Sequence, residues 1–197
     1  MSRVAQLSRK TGETDVRVGL DLDGTLTGEI STGVGFFDHM LELLTRHGHV
    51  GLTVTVRGDL ETGAHHTVED TGIVLGQAIG EALGDRRGIR RYGYAVVPMD
   101  EARAACAIDI SGRPYCAVGG LELPPGAIAG FEHEAAEEFF RAVASAGRLT
   151  VQIERQAGTN AHHMIEACFK AFARALRAAV SIDPDEDGVP STKGRLT

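Results

Sequence analysis

One short word occurs twice in this chain: His65-His66-Thr67-Val68-Glu69 returns as His162-His163-Met164-Ile165-Glu166. The offset is the same at both ends, since 162 − 65 and 166 − 69 both give 97. Each copy opens a stretch of helical apolar period, with Val68, Ile73, Leu75, Ile79 and Leu83 after the first and Ile165, Phe169, Phe172 and Leu176 after the second. Residues i and i+4 of a helix share one face, so His65 with Glu69, and His162 with Glu166, can each grip one cation. The odd histidines, His66 and His163, project about 100° away and must serve something else. If the two copies face each other, each pair meets the odd histidine of the other. That gives two equivalent sites, one of His65, Glu69 and His163, the other of His162, Glu166 and His66. A mixed imidazole and carboxylate shell suits Mn, Fe or Zn and not Ca or Mg, which take all-oxygen shells. A lone HHxxE is more often an ordinary helix surface; its repetition at one offset is what makes it a ligand set.

The repeat also constrains the fold. Arg3 to Thr14 reads as a polar lead-in. Val16, Val18, Leu20 and Leu22 then alternate with polar or small residues, as in a strand with one buried face. Asp23-Gly24 is a hairpin signal, and Leu26 to Phe37 is expected to return as a second strand. Asp38 to His47 reads as a short helix capped by Asp38 and ended by Gly48. Leu52, Val54 and Val56 alternate as a third strand, and the first HHxxE helix follows, stopping at Gly84. The second half repeats the order: strands over Tyr94–Pro98, Ala102–Ile110 and Tyr115–Val118, a helix over His133–Ala146, a strand through Leu149, Val151 and Ile153, and the second HHxxE helix, capped at Thr159-Asn160. The fold expected is α+β, an internally duplicated strand-strand-helix-strand-helix unit with two sheets packed against helices. Its halves are 1–90 and 91–197, the second ending in a short tail, and together they form one compact enzyme domain.

With 197 residues, 43% of them hydrophobic, the chain is long enough to bury a core. The formal net charge of −7 gives no support to nucleic-acid binding, and no run approaches a membrane span. The polar stretch Met1–Thr14 has no apolar core of a secretory signal. Cys106, Cys116 and Cys168 are too few and too scattered for a disulfide framework and lack zinc spacing, so a cytoplasmic protein with reduced thiols is expected.

A second word points elsewhere. Asp21-Leu22-Asp23-Gly24-Thr25-Leu26 spells DxDGTL, the opening of the haloacid-dehalogenase phosphatases. The segment before it alternates polar and apolar residues, whereas the central parallel strand of such a phosphatase is a near-continuous apolar run. That reading also leaves the repeated HHxxE unexplained. Cationic groups complete the pattern. Arg113 sits in the tight Ser111-Gly112-Arg113-Pro114 turn, Lys170 lies two turns beyond His162, and Ser191-Thr192-Lys193-Gly194 offers hydroxyls, an ammonium and a flexible backbone to a phosphate. Of Arg86, Arg87, Arg90 and Arg91, the first two are accounted for by the favourable placement of cations at a helix C-terminus. Paired metals among cations imply a small phosphorylated substrate. A binuclear hydrolase would use the same ligands, and a metal store would have no use for Arg113, Lys170 or the tail.

These residues resemble the imidazoleglycerol-phosphate dehydratase family nearly end to end. The marks are Gly12-Glu13-Thr14, Leu22-Asp23-Gly24, Phe36-Phe37-Asp38-His39-Met40-Leu41, His65-His66-Thr67-Val68-Glu69-Asp70, Pro98-Met99-Asp100-Glu101-Ala102, Ser111-Gly112-Arg113-Pro114, His162-His163, Phe169-Lys170-Ala171 and Pro190-Ser191-Thr192-Lys193-Gly194. The resemblance implies a hydro-lyase of histidine biosynthesis that converts imidazole glycerol phosphate to imidazole acetol phosphate and water. It implies two Mn2+ per active site, one held by His39, His66, His162 and Glu166 and the other by His65, Glu69, His163 and Glu138. It further implies that Arg91, Arg113, Lys170, Ser191, Thr192 and Lys193 meet the substrate and its phosphate, and that Glu13 lies in the substrate pocket. The catalytic set is then Glu13, Glu166, His66 and His163, with Glu13, Glu166 and a metal-bound water as unranked candidate proton carriers. Family enzymes form homo-oligomers, usually of 24 subunits, with sites between chains. Two positions depart from the pattern: Glu138 stands where many members have His, and Leu43 where Gln is frequent.

Overall fold

The computed structural model describes residues 2–24 and 28–196. The first half runs β1 (Val4–Lys10), β2 (Thr14–Asp21), β3 (Ile30–Ser31), α1 (Gly35–Gly48), β4 (Gly51–Gly58), a 3-10 turn over Leu60–Thr62 and α2 (His65–Leu83). The second runs β5 (Tyr92–Met99), β6 (Ala102–Asp109), β7 (Tyr115–Gly119), a small hairpin of β8 (Ala127–Ile128) and β9 (Phe131–Glu132), α3 (Ala135–Gly147), β10 (Thr150–Ala157) and α4 (Ala161–Val180). The two large sheets have the orders β1-β2-β4-β3 and β5-β6-β10-β7. In each, the first three strands are antiparallel and the last runs parallel to its neighbour. The α+β duplication expected from the HHxxE repeat is therefore present, but each half places one strand more than the expected strand-strand-helix-strand-helix unit in its sheet.

Several local expectations change. Residues 4–10 form a strand, not a lead-in; only Ala5 is buried there and Leu7 is half-buried, so this edge strand shows almost no apolar signal. The hairpin joining the first two strands turns at residues 11–13. Gly24 does sit in a turn, with φ of +81°, and its N–H donates to the Asp21 carbonyl at 3.3 Å. The chain beyond it, however, enters β3, which pairs in parallel with β4. Of the strand expected over 26–37, only Ile30–Ser31 forms a strand among the described residues, and residues 26 and 27 lie outside them. Helix α1 begins before Asp38, whose Oδ1 instead accepts from the N–H (2.7 Å) and hydroxyl (2.6 Å) of Thr32. That bond ties the β3–α1 connection and places the neighbouring His39.

Each sheet is covered by the long helix of its own half, α2 on β1, β2 and β4, α4 on β5, β6 and β10. The shorter helices cross over: α3 lies against α2, and α1 against α4. The halves thus share one core, filled by aromatic rings. All seven phenylalanines are buried, and Phe139 and Phe169 stack at 5.1 Å between centroids. The outer face of the second sheet exposes Tyr92, Tyr94, Val96 and Tyr115.

The α2–α3 contact is backbone against backbone. A Cβ at Gly76 would stand 2.5 Å from the Val143 carbonyl oxygen and 2.8 Å from the Gly147 nitrogen, and one at Gly72 would stand 2.8 Å from the Ala142 Cβ. At Gly80, one turn on, the nearest atom would be 3.9 Å away. Gly76→Ala is expected to destabilise the protein by about 1–3 kcal/mol, because α3 must move outward. Gly80→Ala is expected to hold or raise stability by up to about 1 kcal/mol through helix propensity. Thermal unfolding of the two variants checks the contrast.

Candidate active site

The best-formed ligand group is built at the start of α4. Asn160 caps the helix, its Oδ1 accepting from the N–H of His162 at 2.9 Å and of His163 at 3.4 Å. With the first turn fixed, His162 and Glu166 fall on one face, and His162 Nε2 lies 2.9 Å from Glu166 Oε2. From α1, His39 brings its Nε2 to 3.8 Å from the same oxygen, and Phe36 packs edge-on to the His162 ring at 4.9 Å. One ligand atom from each of His39, His162 and Glu166 lies within 4.8 Å of the others, the one such group of three among the described residues. Two imidazole nitrogens and a carboxylate oxygen fit a Mn, Fe or Zn ion. Glu166 is only 6% exposed, and its other oxygen holds the Lys170 ammonium at 2.6 Å. Burial works against its charge, but Lys170 and His162 outweigh it and hold the carboxyl below its usual range.

The first HHxxE copy is arranged differently. Glu132, from the second half, accepts from the Ala64 N–H at 3.2 Å and so serves the start of α2, which has no side-chain cap of its own. His65 Nε2 stands 3.8 Å from Glu69 Oε2, both side chains open to solvent. His66 Nδ1 is 3.0 Å from Asp59, and its Nε2 is 3.8 Å from Glu13. His163 Nδ1 is 2.7 Å from Glu101, and its Nε2 is 3.7 Å from Asp100. Within one chain, then, His39 rather than His66 completes the trio with His162 and Glu166, and neither odd histidine reaches the opposite copy among the described contacts. Glu138 lies half-buried on the first turn of α3, in no ligand group of the described residues.

Asp59 and Glu101 were not singled out from the sequence. Each takes the Nδ1 hydrogen of an odd histidine, which leaves Nε2 with its lone pair free to bind outward. Glu101 also accepts from the N–H of Asn160 at 2.9 Å and of Thr159 at 3.1 Å. The His163 bond and these backbone donors hold its carboxyl down to about 2, while Glu101 raises His163. Asp59 raises His66 in the same way and is itself lowered by it. No period links Asp59 to His66 or Glu101 to His163; the one sequence signal was the Pro98–Ala102 word that places Glu101 in a turn.

A cavity of about 620 Å³ gathers the cationic tail. Arg91, Arg113, Ser191, Thr192 and Lys193 line it, and so does Arg195, which sequence reading passed over. Arg91 builds the pocket: its guanidinium holds Asp109 at 2.7 and 3.2 Å, donates to the Pro190 carbonyl at 2.8 Å and covers the Tyr92 ring. Lys170 is not there; its ammonium sits between Glu166 and the Met99 sulfur.

Residues 32–176 match the family model described as imidazoleglycerol-phosphate dehydratase. The chain is 55% identical to the imidazoleglycerol-phosphate dehydratase of Moorella thermoacetica over the whole of both chains. It is 56% identical to that of Symbiobacterium thermophilum, over 98% of this chain and 93% of that one. Among solved structures it is similar to the Staphylococcus aureus dehydratase, with a TM-score of 0.81, 40% identity and coverage of 91% and 99%. It is also similar to the Pyrococcus furiosus protein, with a TM-score of 0.82, 37% identity and coverage of 96% and 100%. On these matches, which span nearly its full length, the chain belongs to the imidazoleglycerol-phosphate dehydratase family.

Proposed function

We propose that this chain is a metal-dependent hydro-lyase that converts imidazole glycerol phosphate to imidazole acetol phosphate and water in histidine biosynthesis. The observation that carries the metal dependence is the His39, His162 and Glu166 group, a preformed nitrogen and oxygen ligand set in a chain of this family. Two Mn2+ are assigned, one to His39, His66, His162 and Glu166 and the other to His65, Glu69, Glu138 and His163. Since His66 and His163 are turned toward Asp59 and Glu101 within the chain, each full set draws on neighbouring subunits of a homo-oligomer, for which 24 subunits are expected. The exposed apolar face of the second sheet is consistent with such packing. The halves 1–90 and 91–197 act as one unit in the cytoplasm. Neither nucleic acid nor membrane enters the reaction, and no helix among the described residues is long and apolar enough to cross a membrane.

The proton to be removed sits on carbon beside an imidazole and is weakly acidic, so a base alone is insufficient. The metal supplies Lewis-acid stabilisation of the charge that develops. The chain supplies the rest. Glu13 carries a carboxylate that is 58% exposed and 3.8 Å from His66, placed to take or return a proton. The carboxylate of Glu166 is already committed to Lys170 and His162, which favours Glu13 as the carrier. Arg113, Lys193, Ser191 and Thr192 bind the phosphate in the tail cavity, and Arg91 holds that cavity's wall.

Incubating imidazole glycerol phosphate with the protein and Mn2+ is expected to give a product lighter by one water, as read by mass spectrometry, and EDTA is expected to abolish it. Release of inorganic phosphate in its place would support a metallohydrolase. His162→Ala is expected to lose both activity and bound Mn, measured by elemental analysis. Lys193→Ala removes one charge-assisted hydrogen bond and is expected to raise KM about tenfold or more, with a smaller change in kcat. Unchanged steady-state constants in that variant would remove the tail from the site.

A further inference from the structure

Beside Glu13 and His66 lies a buried carboxylate, paired with a half-buried arginine, for which the reaction as described has no use. Asp70 is 6% exposed and Thr14 3%. The Thr14 hydroxyl donates to Asp70 Oδ2, and the Arg9 guanidinium stands 2.5 Å from the same oxygen. Thr14 is the residue after Glu13 and the first of β2, while Asp70 lies one helical turn beyond His66 on the same face of α2. A carboxylate in this position is costly unless paired, and Arg9 and Thr14 are its partners. The turn it grips is closed on itself as well. The Thr11 hydroxyl accepts from the N–H groups of Glu13 at 3.1 Å and Thr14 at 3.0 Å, and the Glu13 carbonyl accepts from the Asp59 N–H at 3.2 Å. Asp59 is also the partner of His66 Nδ1. The β1–β2 turn, the end of β4 and the start of α2 are thereby knit into one unit, from which the Glu13 side chain projects, 58% exposed, beside His66.

We propose that Asp70, acting through Thr14 and neutralised by Arg9, is a positioning residue that fixes Glu13 relative to His66 for proton transfer. The inference rests on the dehydratase reading given above. Asp70 touches no reacting atom. It joins the helix carrying His66 to the strand start that follows Glu13, so the 3.8 Å separation of those two side chains is set from below. A turn held only by its own hydrogen bonds would let Glu13 wander over distances that matter, since a misplacement of about 1 Å can cost about 100-fold in rate.

Thr14→Val removes the donor and keeps the shape. In the Mn-loaded enzyme it is expected to lower kcat by about 10- to 100-fold with KM nearly unchanged, and Thr14→Ser is expected to restore most of the loss. In a Glu13→Gln background, Thr14→Val is expected to cost nothing further, because the group it positions is gone. An equal loss in both backgrounds, or a Thr14→Val enzyme with wild-type kcat, overturns the proposal. Should Thr14→Val fail to fold, Asp70→Asn, which discards the charge that Arg9 meets, enters the same cycle with the same expected outcomes. Hydrogen exchange over residues 10–15 separates this proposal from the function it rests on. A wild-type enzyme that removes no water from the substrate ends the dehydratase reading alone, whereas exchange in the turn that does not speed up in Thr14→Val shows that the clasp does not hold it.

Discussion

Contact between two helix backbones governs where everything else in this molecule sits. Gly76 faces the Val143 carbonyl and the Gly147 nitrogen so closely that no side chain fits, and Gly147 faces the Gly76 carbonyl in return. Helices that approach this closely have no slack for sliding, because the ridges of one lie directly in the grooves of the other. Helix α2 comes from one repeat and α3 from the other, so the seam fixes the halves against each other. It also fixes the height of the first two turns of α2, which carry His65, His66 and Glu69. On the opposite side α1 lies against α4 and delivers His39 to His162 and Glu166. A ligand group spread over two helices of different halves needs that crossing.

The periodic part of this arrangement was legible in the sequence. The repeated word, the stop at Gly84, the Asn160 cap and the i, i+4 pairing all depend on residues close in the chain, where spacing translates directly into geometry. Sheet edges were less legible. In β1 only Ala5 is buried, and the alternating outer residues Gln6, Ser8 and Lys10 make the strand look like a polar tail. Asp38 read as a helix cap because capping residues look alike in sequence, yet its carboxylate serves Thr32 before the helix. The glycine seam was invisible, since Gly72 and Gly76 inside a helix register only as a propensity cost until a partner helix is known. Contacts between distant segments were missed for the same reason: Glu101 reaches His163, and Glu132 reaches Ala64, by routes that no short-range pattern encodes, while Asp59 reaches His66 seven residues on across an irregular turn.

The comparison of the two halves shows where duplication was kept and where it was abandoned. Strand order and sense are kept throughout. Helix starts are not: α4 is capped by its own Asn160, whereas α2 is served by Glu132 from a hairpin that, among the described residues, only the second half contains. The first half has therefore given part of its local stability over to the second, which binds them into a unit more firmly than a core alone.

The turn between the first two strands of each half has diverged in a way that bears on chemistry. Glu13 and Glu101 are equivalent by position, since 101 − 13 and 102 − 14 both give 88, and residues 14 and 102 begin β2 and β6. Both face the second histidine of an HHxxE word. Glu101 is bound by His163 and by two backbone N–H groups, which lower its pKa to about 2. A carboxylate so satisfied is a poor proton carrier, because a proton on Oε2 would displace the His163 ring and weaken the two backbone bonds to Oε1, but it is well suited to fixing a ring. Glu13 stands farther from its histidine, at 3.8 Å, and more than half exposed, with the turn beneath it held by other residues. In the first half the task of orienting the histidine falls to Asp59, which leaves the turn carboxylate unlocked. Two copies of one hairpin thus present two differently held carboxylates, separated by whether backbone donors reach them.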